Sequence, residues 1–203
     1  TTGRPKGVMN TPRTFETNIA VFLACTRFAA PPVFLACAPM THAAGVMAFV
    51  TIAASGTVVI QRKFDAQESL AAIAEYRVSS LLLPSTAIYA ALSQPNVRSF
   101  EYSSLRHLFY GGAPTSSAKL REAFEVFGPV MTHSYGQTEV PTCVTFMGPE
   151  EHLDRHGRLD EKRLLSCGRA SPFARVALMD EEGNLVPAGE VGEIVVQGGL
   201  VMR

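Results

Sequence analysis

Two short stretches carry side chains suited to holding a polyphosphate. TTGRPKG (1–7) gathers the hydroxyls of Thr1 and Thr2, the mobile ammonium of Lys6, and two glycines, Gly3 and Gly7. Glycine admits backbone conformations closed to other residues, and turn amides with nearby hydroxyls can surround phosphate oxygens. The stretch differs from the G-x-x-x-x-G-K-[ST] loop because Gly7 follows Lys6. A polar turn near a terminus would have the same composition. SYGQTE (134–139) holds more chemistry. Tyr135 can lie against a heteroaromatic ring, Gly136 opens the backbone, and Thr138 can donate its hydroxyl proton to a phosphate oxygen. Glu139, one residue on, is a hard oxygen donor suited to Mg²⁺.

Two further segments could share that site. YGGAP (110–114) sets Gly111 and Gly112 before Ala113 and Pro114. Bare backbone there would let a planar ring or a phosphate approach, or would simply make a tight turn. His42 lies in PMTHAAG (39–45) and is a candidate gate or substrate contact. His133 is expected in the sheet or at a pocket floor, and His152 and His156 in a charged connector, EEHLDRHGRLDEKR (150–163), expected to be exposed. The chain has no G-x-S-x-G, H-E-x-x-H or G-x-G-x-x-G pattern.

The elements needed to bring these loops together are legible. Thr11 caps a helix with Pro12 at its first position. Its Phe15, Ile19, Phe22, Leu23 and Thr26 share a face. VFLACAP (33–39) reads as a buried strand, followed by a buried helix closed by Gly56 and a strand at TVVIQ (57–61). Asp65 and Glu68 form a capping-box start for a helix that turns Leu70, Ile73 and Ala74 inward. SLLLP (80–84) is a third strand, and Ser85 is expected to cap a helix through Leu92. LRHLFYGG (105–112) is a fourth strand, a helix over 117–127 stops at Gly128, and PVMTHSYG (129–136) is a fifth strand.

This alternation predicts an α/β fold with a mainly parallel sheet and flanking helices over residues 1–167. From about 168 onward, Gly-rich turns between strand-like runs predict the start of a β-rich subdomain, reaching 203. In open parallel sheets ligands gather at the carboxyl ends of strands. PMTHAAG, PSTA (84–87), YGGAP and SYGQTE all follow strand ends, so they should meet on one edge.

Composition narrows the partners. With 203 residues, 47% hydrophobic and 18% charged, the chain is an ordinary globular sequence. Its 18 Lys+Arg balance 18 Asp+Glu, which gives no basic face for nucleic acid or an anionic membrane. No apolar run is long enough to span a bilayer. Cys25, Cys37, Cys143 and Cys167 have no C-x-x-C spacing, and three lie in apolar stretches. Reduced, buried thiols and a cytoplasmic location are expected. The lack of a leading Met and the abrupt ends suggest a piece of a longer protein.

Taken together, these blocks resemble a known family. TTGRPKG is similar to the second half of the S-G-T-T-G-x-P-K-G signature of adenylate-forming (AMP-binding) enzymes. PMTHAAG, YGGAP, SYGQTE and GEVGEIVVQGGLVMR resemble its following blocks, in order and over the whole chain. The resemblance implies the central part of the large domain of an acyl-CoA synthetase. Such an enzyme uses ATP to convert a carboxylic acid to an acyl-adenylate, then passes the acyl group to coenzyme A with release of AMP.

By the same resemblance, Thr1, Thr2, Gly3 and Lys6 belong to the loop over the β- and γ-phosphates. Gly111, Gly112, Ala113, Pro114, Ser134, Tyr135, Gly136 and Gln137 frame adenine and the acyl group. Thr138 touches the α-phosphate, Glu139 holds Mg²⁺, and His42 sits beside the acyl or thiol channel. A fatty or aryl acid is implied. The alternatives are a peptide-synthetase adenylation domain, against which the acid-free stretch THAAGVMAFV argues, and a non-catalytic scaffold module. Family segments with the ribose-holding Asp and the C-terminal lysine are absent, so the isolated chain is expected to be nearly inactive, and its exposed sheet edges to favour homo-oligomers.

Overall fold

The fold was analysed in a computed structural model, which describes residues 7–203. The first helix, α1 (Pro12–Thr26), starts as its sequence demands: the Thr11 hydroxyl accepts from Thr14 N, and the Thr14 hydroxyl accepts from Thr11 N. Such a cap is worth about 1 kcal/mol. Phe22 and Thr26 of the expected face are buried, but so are Thr14, Asn18 and Val21, which makes the inward stripe more polar than the pattern implied.

Strand and helix then alternate. β1 (Val33–Ala36), α2 (Ala43–Ala53), β2 (Thr57–Ile60), α3 (Ala66–Glu75), β3 (Ser80–Leu82) and α4 (Ser85–Leu92) come first. β4 (His107–Tyr110), α5 (Ser117–Phe127) and β5 (Met131–Gln137) follow. Asp65 caps α3, its carboxylate accepting from Glu68 N at 2.9 Å. Gly128 ends α5 with φ +82°, a value that favours glycine. Ser85 departs from expectation. Pro84 holds the cap position of α4, and Ser85 opens the helix itself. Its hydroxyl instead pairs with the Thr115 hydroxyl at 2.7 Å and reaches the Ala113 and Pro114 carbonyls at 3.4 and 3.3 Å. A side chain read as a local cap therefore ties down the loop after β4.

Seven strands form one sheet in the order β2-β1-β3-β4-β5-β6-β7, with β6 (Val140–Met147) and β7 (Arg169–Ala170). β1 to β5 are mutually parallel, while β6 runs antiparallel to both β5 and β7. The structure is thus α/β with a mostly parallel sheet. β6 was not legible as a strand. All its residues except Thr142 are buried, so it lacks the apolar–polar alternation of a half-exposed strand. β8 (Ala174–Met179) and β9 (Glu193–Gly198) pair antiparallel as a separate two-stranded ribbon.

Two apolar layers sandwich the sheet. Phe22, Val46, Met47 and Val50 of α1 and α2 meet Phe34, Phe109 and Phe146 on one face. Leu70, Ile73, Ile88 and Leu120 of α3 to α5 meet Leu35, Leu81 and Leu108 on the other. Because α1 packs along β6, the first helix directly supports the strand that returns from the SYGQTE loop. The connector over 150–163 is not wholly exposed as expected. His152 is fully buried, and Leu164, just beyond it, is 4% exposed. Cys37 and Cys143 are buried, Cys25 is half-buried, and Cys167 is exposed. Among the described residues, no helix is long and apolar enough to cross a membrane.

Candidate active site

The loops that leave the carboxyl ends of β1, β4 and β5 meet around a cavity of about 500 Å³. From the first come Met40, Thr41 and His42; from the second, Gly111 and Gly112; from the third, Gly136, Gln137 and Thr138. Ser134 and Tyr110 contribute the strand ends below them. Phe15, Val46, Phe49, Leu82 and Pro141 make the deeper wall apolar. Among the described residues that line it, none is Asp, Glu, Lys or Arg.

Local sequence explains each wall. The YGG turn exists because Gly111 packs its Cα directly on the Ser134 carbonyl, where any Cβ would collide. This closes β4 against β5 and brings the two glycine-bearing loops side by side. Gly136 lies equally close to the Thr142 backbone. His42 occupies the cap position of α2 without capping it, and its exposed ring stands at the cavity mouth. Asn10, three residues beyond Gly7, donates its side-chain N–H to the Thr138 carbonyl at 3.1 Å. The segment following the first glycine loop therefore borders the SYGQTE turn. Thr1, Thr2, Gly3 and Lys6 lie outside the described residues.

Not every expected residue reaches the cavity. Ser134, Gly136 and their alternating partners face it, so Tyr135 points to the other side of β5. There it packs with Val140, Val144 and Leu200 and with Val176 and Val196 of the ribbon. Ala113 and Pro114 are exposed just beyond the lining, held through Ser85. Glu139 sits at the tip between β5 and β6, adjoining Thr138, and its carbonyl accepts from Met202 N at 2.7 Å.

Beneath the YGG turn lies a relay that sequence reasoning did not find. The His152 Nδ1 lies 2.8 Å from the Gly148 carbonyl, which can only accept, so the proton sits on Nδ1. Nε2 then accepts from the Tyr110 hydroxyl at 2.9 Å. His133 stacks edge-on to Tyr110 at 4.7 Å between centroids, and Phe124 lies 5.5 Å from His152. Burial lowers the pKa of both His133 and His152 and raises that of Tyr110. Desolvation opposes charge on each of these groups, so the cluster is neutral and holds the end of β4 in place. His133 thus stays in the sheet as expected, and the signal for His152 was missing because its partner is 42 residues away.

The chain is similar to known proteins in both sequence and fold. A medium/long-chain-fatty-acid–CoA ligase, FadD8, of Mycobacterium tuberculosis is 40% identical over 201 residues, which is 99% of this chain and 34% of that protein. A feruloyl-CoA synthase of Amycolatopsis sp is 35% identical over the whole chain, covering 40% of its own length. The chain thus spans little more than a third of the curated relatives it matches. Among solved structures, the amide bond synthetase McbA of Marinactinospora thermotolerans superposes with a TM-score of 0.90 at 29% identity, over 99% of this chain and 40% of that one. The O-succinylbenzoate coenzyme A synthetase of Bacillus subtilis, solved with AMP, gives 0.86 at 25% identity, over 100% and 40%. The AMP-binding enzyme family model matches residues 1–203 without interruption. Matched by that model from end to end, the chain belongs to the AMP-binding enzyme family.

Proposed function

We propose that this chain carries the nucleotide- and acid-binding core of an ATP-dependent acid–thiol ligase. The observation that carries the reading is the convergence of the PMTHAAG, YGGAP and SYGQTE loops on one cavity, among whose described lining residues none is Asp, Glu, Lys or Arg. An uncharged acyl group, fatty or aryl, suits that wall. An amino-acid substrate would need a carboxylate there for its ammonium. Soluble, cytoplasmic operation accords with the two buried thiols.

In the proposed reaction an acid oxygen attacks the α-phosphorus of ATP. The new O–P bond forms as the bond to pyrophosphate breaks. The thiol of coenzyme A then adds to the acyl carbonyl, and AMP leaves. Two anions must be brought together, so positioning and electrostatics supply the rate. Gly111, Gly112, Ser134, Gly136 and Gln137 shape the nucleotide side, with Ala113 and Pro114 flanking it, while Tyr135 supports β5 from its opposite face. The Thr138 hydroxyl donates to an α-phosphate oxygen. Thr1, Thr2, Gly3 and Lys6 cover the outer phosphates, and His42 borders the acyl and thiol entry.

A divalent ion fits this donor set. Among the described residues no group of three or more His, Cys, Asp or Glu could form a protein cage. Mg²⁺ keeps several waters and takes one or two carboxylates plus substrate phosphates, and Glu139 beside Thr138 offers one such carboxylate. When bound there, Mg²⁺ would offset phosphate charge.

The test is a hydroxamate assay on the full-length protein with ATP, Mg²⁺ and a panel of fatty, aryl and amino acids. Hydroxamate is expected with an uncharged fatty or aryl acid. Glu139→Ala should raise the Mg²⁺ concentration for half-maximal rate about tenfold. No product from any acid, together with no calorimetric binding of ATP, would leave the site a scaffold and defeat the reading.

A further inference from the structure

Asn18 stands out as a fully buried amide, 0% exposed in the middle of α1, on a face it shares with Thr14, Val21, Phe22 and Thr26. A buried polar side chain costs stability unless every group is paired. Both ends of this one are paired, and both reach the same place, more than a hundred residues away. Its side-chain N–H donates to the Pro141 carbonyl. Its Oδ1 accepts from the Thr142 hydroxyl at 3.1 Å.

Pro141 and Thr142 form an irregular stretch of β6. Tyr135 pairs with Thr145, and Gln137 with Val140, so two steps along β5 are matched by five along β6. Gly136 alone faces the bulge from Pro141 to Val144. Bulges of this kind re-aim neighbouring side chains and recur next to active sites. Thr142 sits at φ +53°, which is a true outlier for a β-branched residue. Such a conformation persists only where surrounding contacts over-determine it. Pro141, Thr142 and Gly136 all line the cavity.

We propose that Asn18 is a positioning residue: it clamps the β6 bulge with Thr142 in its left-handed conformation, and so fixes the Gly136–Thr138 edge of the nucleotide site. The inference rests on the proposed function for its catalytic consequence, but the clamp itself can be read without catalysis. Asn18 is fully buried and does not line the cavity. It acts through Pro141 and Thr142, and they act through Gly136, whose Cα rests against the Thr142 backbone.

The test uses the full-length protein and two readouts, backbone amide exchange over 136–144 and the KM for ATP in the hydroxamate assay. Asn18→Ala should speed exchange in that segment about tenfold while leaving β1 to β4 unchanged, and should raise KM for ATP about tenfold with a smaller loss of kcat. Thr142→Gly, which removes the cost of the positive φ, should recover most of both effects in the Asn18→Ala background. A general loss of packing would not be rescued this way. Thr142→Val keeps the branched shape but removes the hydroxyl, and it should raise KM several-fold even if Asn18→Ala folds poorly. Unchanged exchange over 136–144, exchange raised uniformly across the sheet, absence of rescue, or a wild-type KM in Thr142→Val would each overturn the clamp. Absence of hydroxamate from the wild type would refute the proposed function alone, and the exchange data would still judge the clamp.

Discussion

Gly136→Ala should lower kcat/KM for ATP about 100-fold in the full-length protein, the scale on which a misplacement of about 1 Å at a reacting centre acts. A Cβ at Gly136 would meet Thr142 N at 2.6 Å and Thr142 Cα and C at 2.8 Å. These are backbone atoms already held by Asn18, so they cannot swing away as a flexible side chain would. The strain must be relieved by β5, whose next two residues are Gln137 and Thr138. The cost in stability should be modest, about 1–3 kcal/mol, as for other overpacked sites. Activity should therefore fall much further than the thermal midpoint. Gly183→Ala is the control. That glycine lies between β8 and β9, outside the cavity lining, with open space where a Cβ would go and φ +85°, so it pays strain alone. Steady-state kinetics and thermal melts of both variants decide the matter. A Gly136→Ala enzyme with wild-type kcat/KM would show that the close approach of the two strands does not govern the site.

Stability should fall steeply as pH drops below about 6.5, the ordinary histidine value. Burial holds the His152, His133 and His107 pKa values below that value. Above it, folded and unfolded chains both carry neutral rings, and the native contacts contribute fully. As pH falls through it, the unfolded chain binds protons that the folded chain refuses, and stability is lost until the depressed native pKa values are reached. Fully buried His152 contributes a slope of about 1.4 kcal/mol per pH unit. With the half-buried His107 and His133 the slope can reach about 4 kcal/mol per pH unit. The His152 proton has nowhere to go: Nδ1–H already donates to Gly148, and Nε2 already accepts from Tyr110. Urea titrations at pH 7.5, 6.5 and 5.5 measure the slope, and His152→Gln should remove His152's share of it. Equal stability at pH 7.5 and 5.5 would mean that the rings protonate freely in the native state.

The parts of the fold that sequence could show are those encoded by neighbours. Thr11 and Pro12, Asp65, and Gly128 all act within four residues of themselves, and each does what its type dictates, whereas Glu68 offers Asp65 its backbone N–H alone and leaves the capping box half formed. The meeting of three glycine-bearing loops was likewise legible, since parallel strands send all such loops to one edge. What escaped depends on distant partners. Ser85 bonds residues 28 to 30 positions away, His152 pairs 42 away, and Asn18 pairs 123 and 124 away. Nothing in the local sequence marks those partners. Tyr135 is different, because strand parity alone separates it from Ser134 and Gly136.

β2 lies at one margin of the sheet, and its four residues, TVVI, are uncharged and largely β-branched. Ile60 is 67% exposed. A margin of this composition is a template on which a stray strand can crystallise into fibrils. Arg62 and Lys63, both exposed, directly follow Gln61, one residue beyond the end of β2. They act as gatekeepers: a second copy docking in register would bring like charges together in a wet, screened but still repulsive contact. The same two cations that do nothing for the nucleotide cleft thus bear on whether the protein stays dispersed at high concentration.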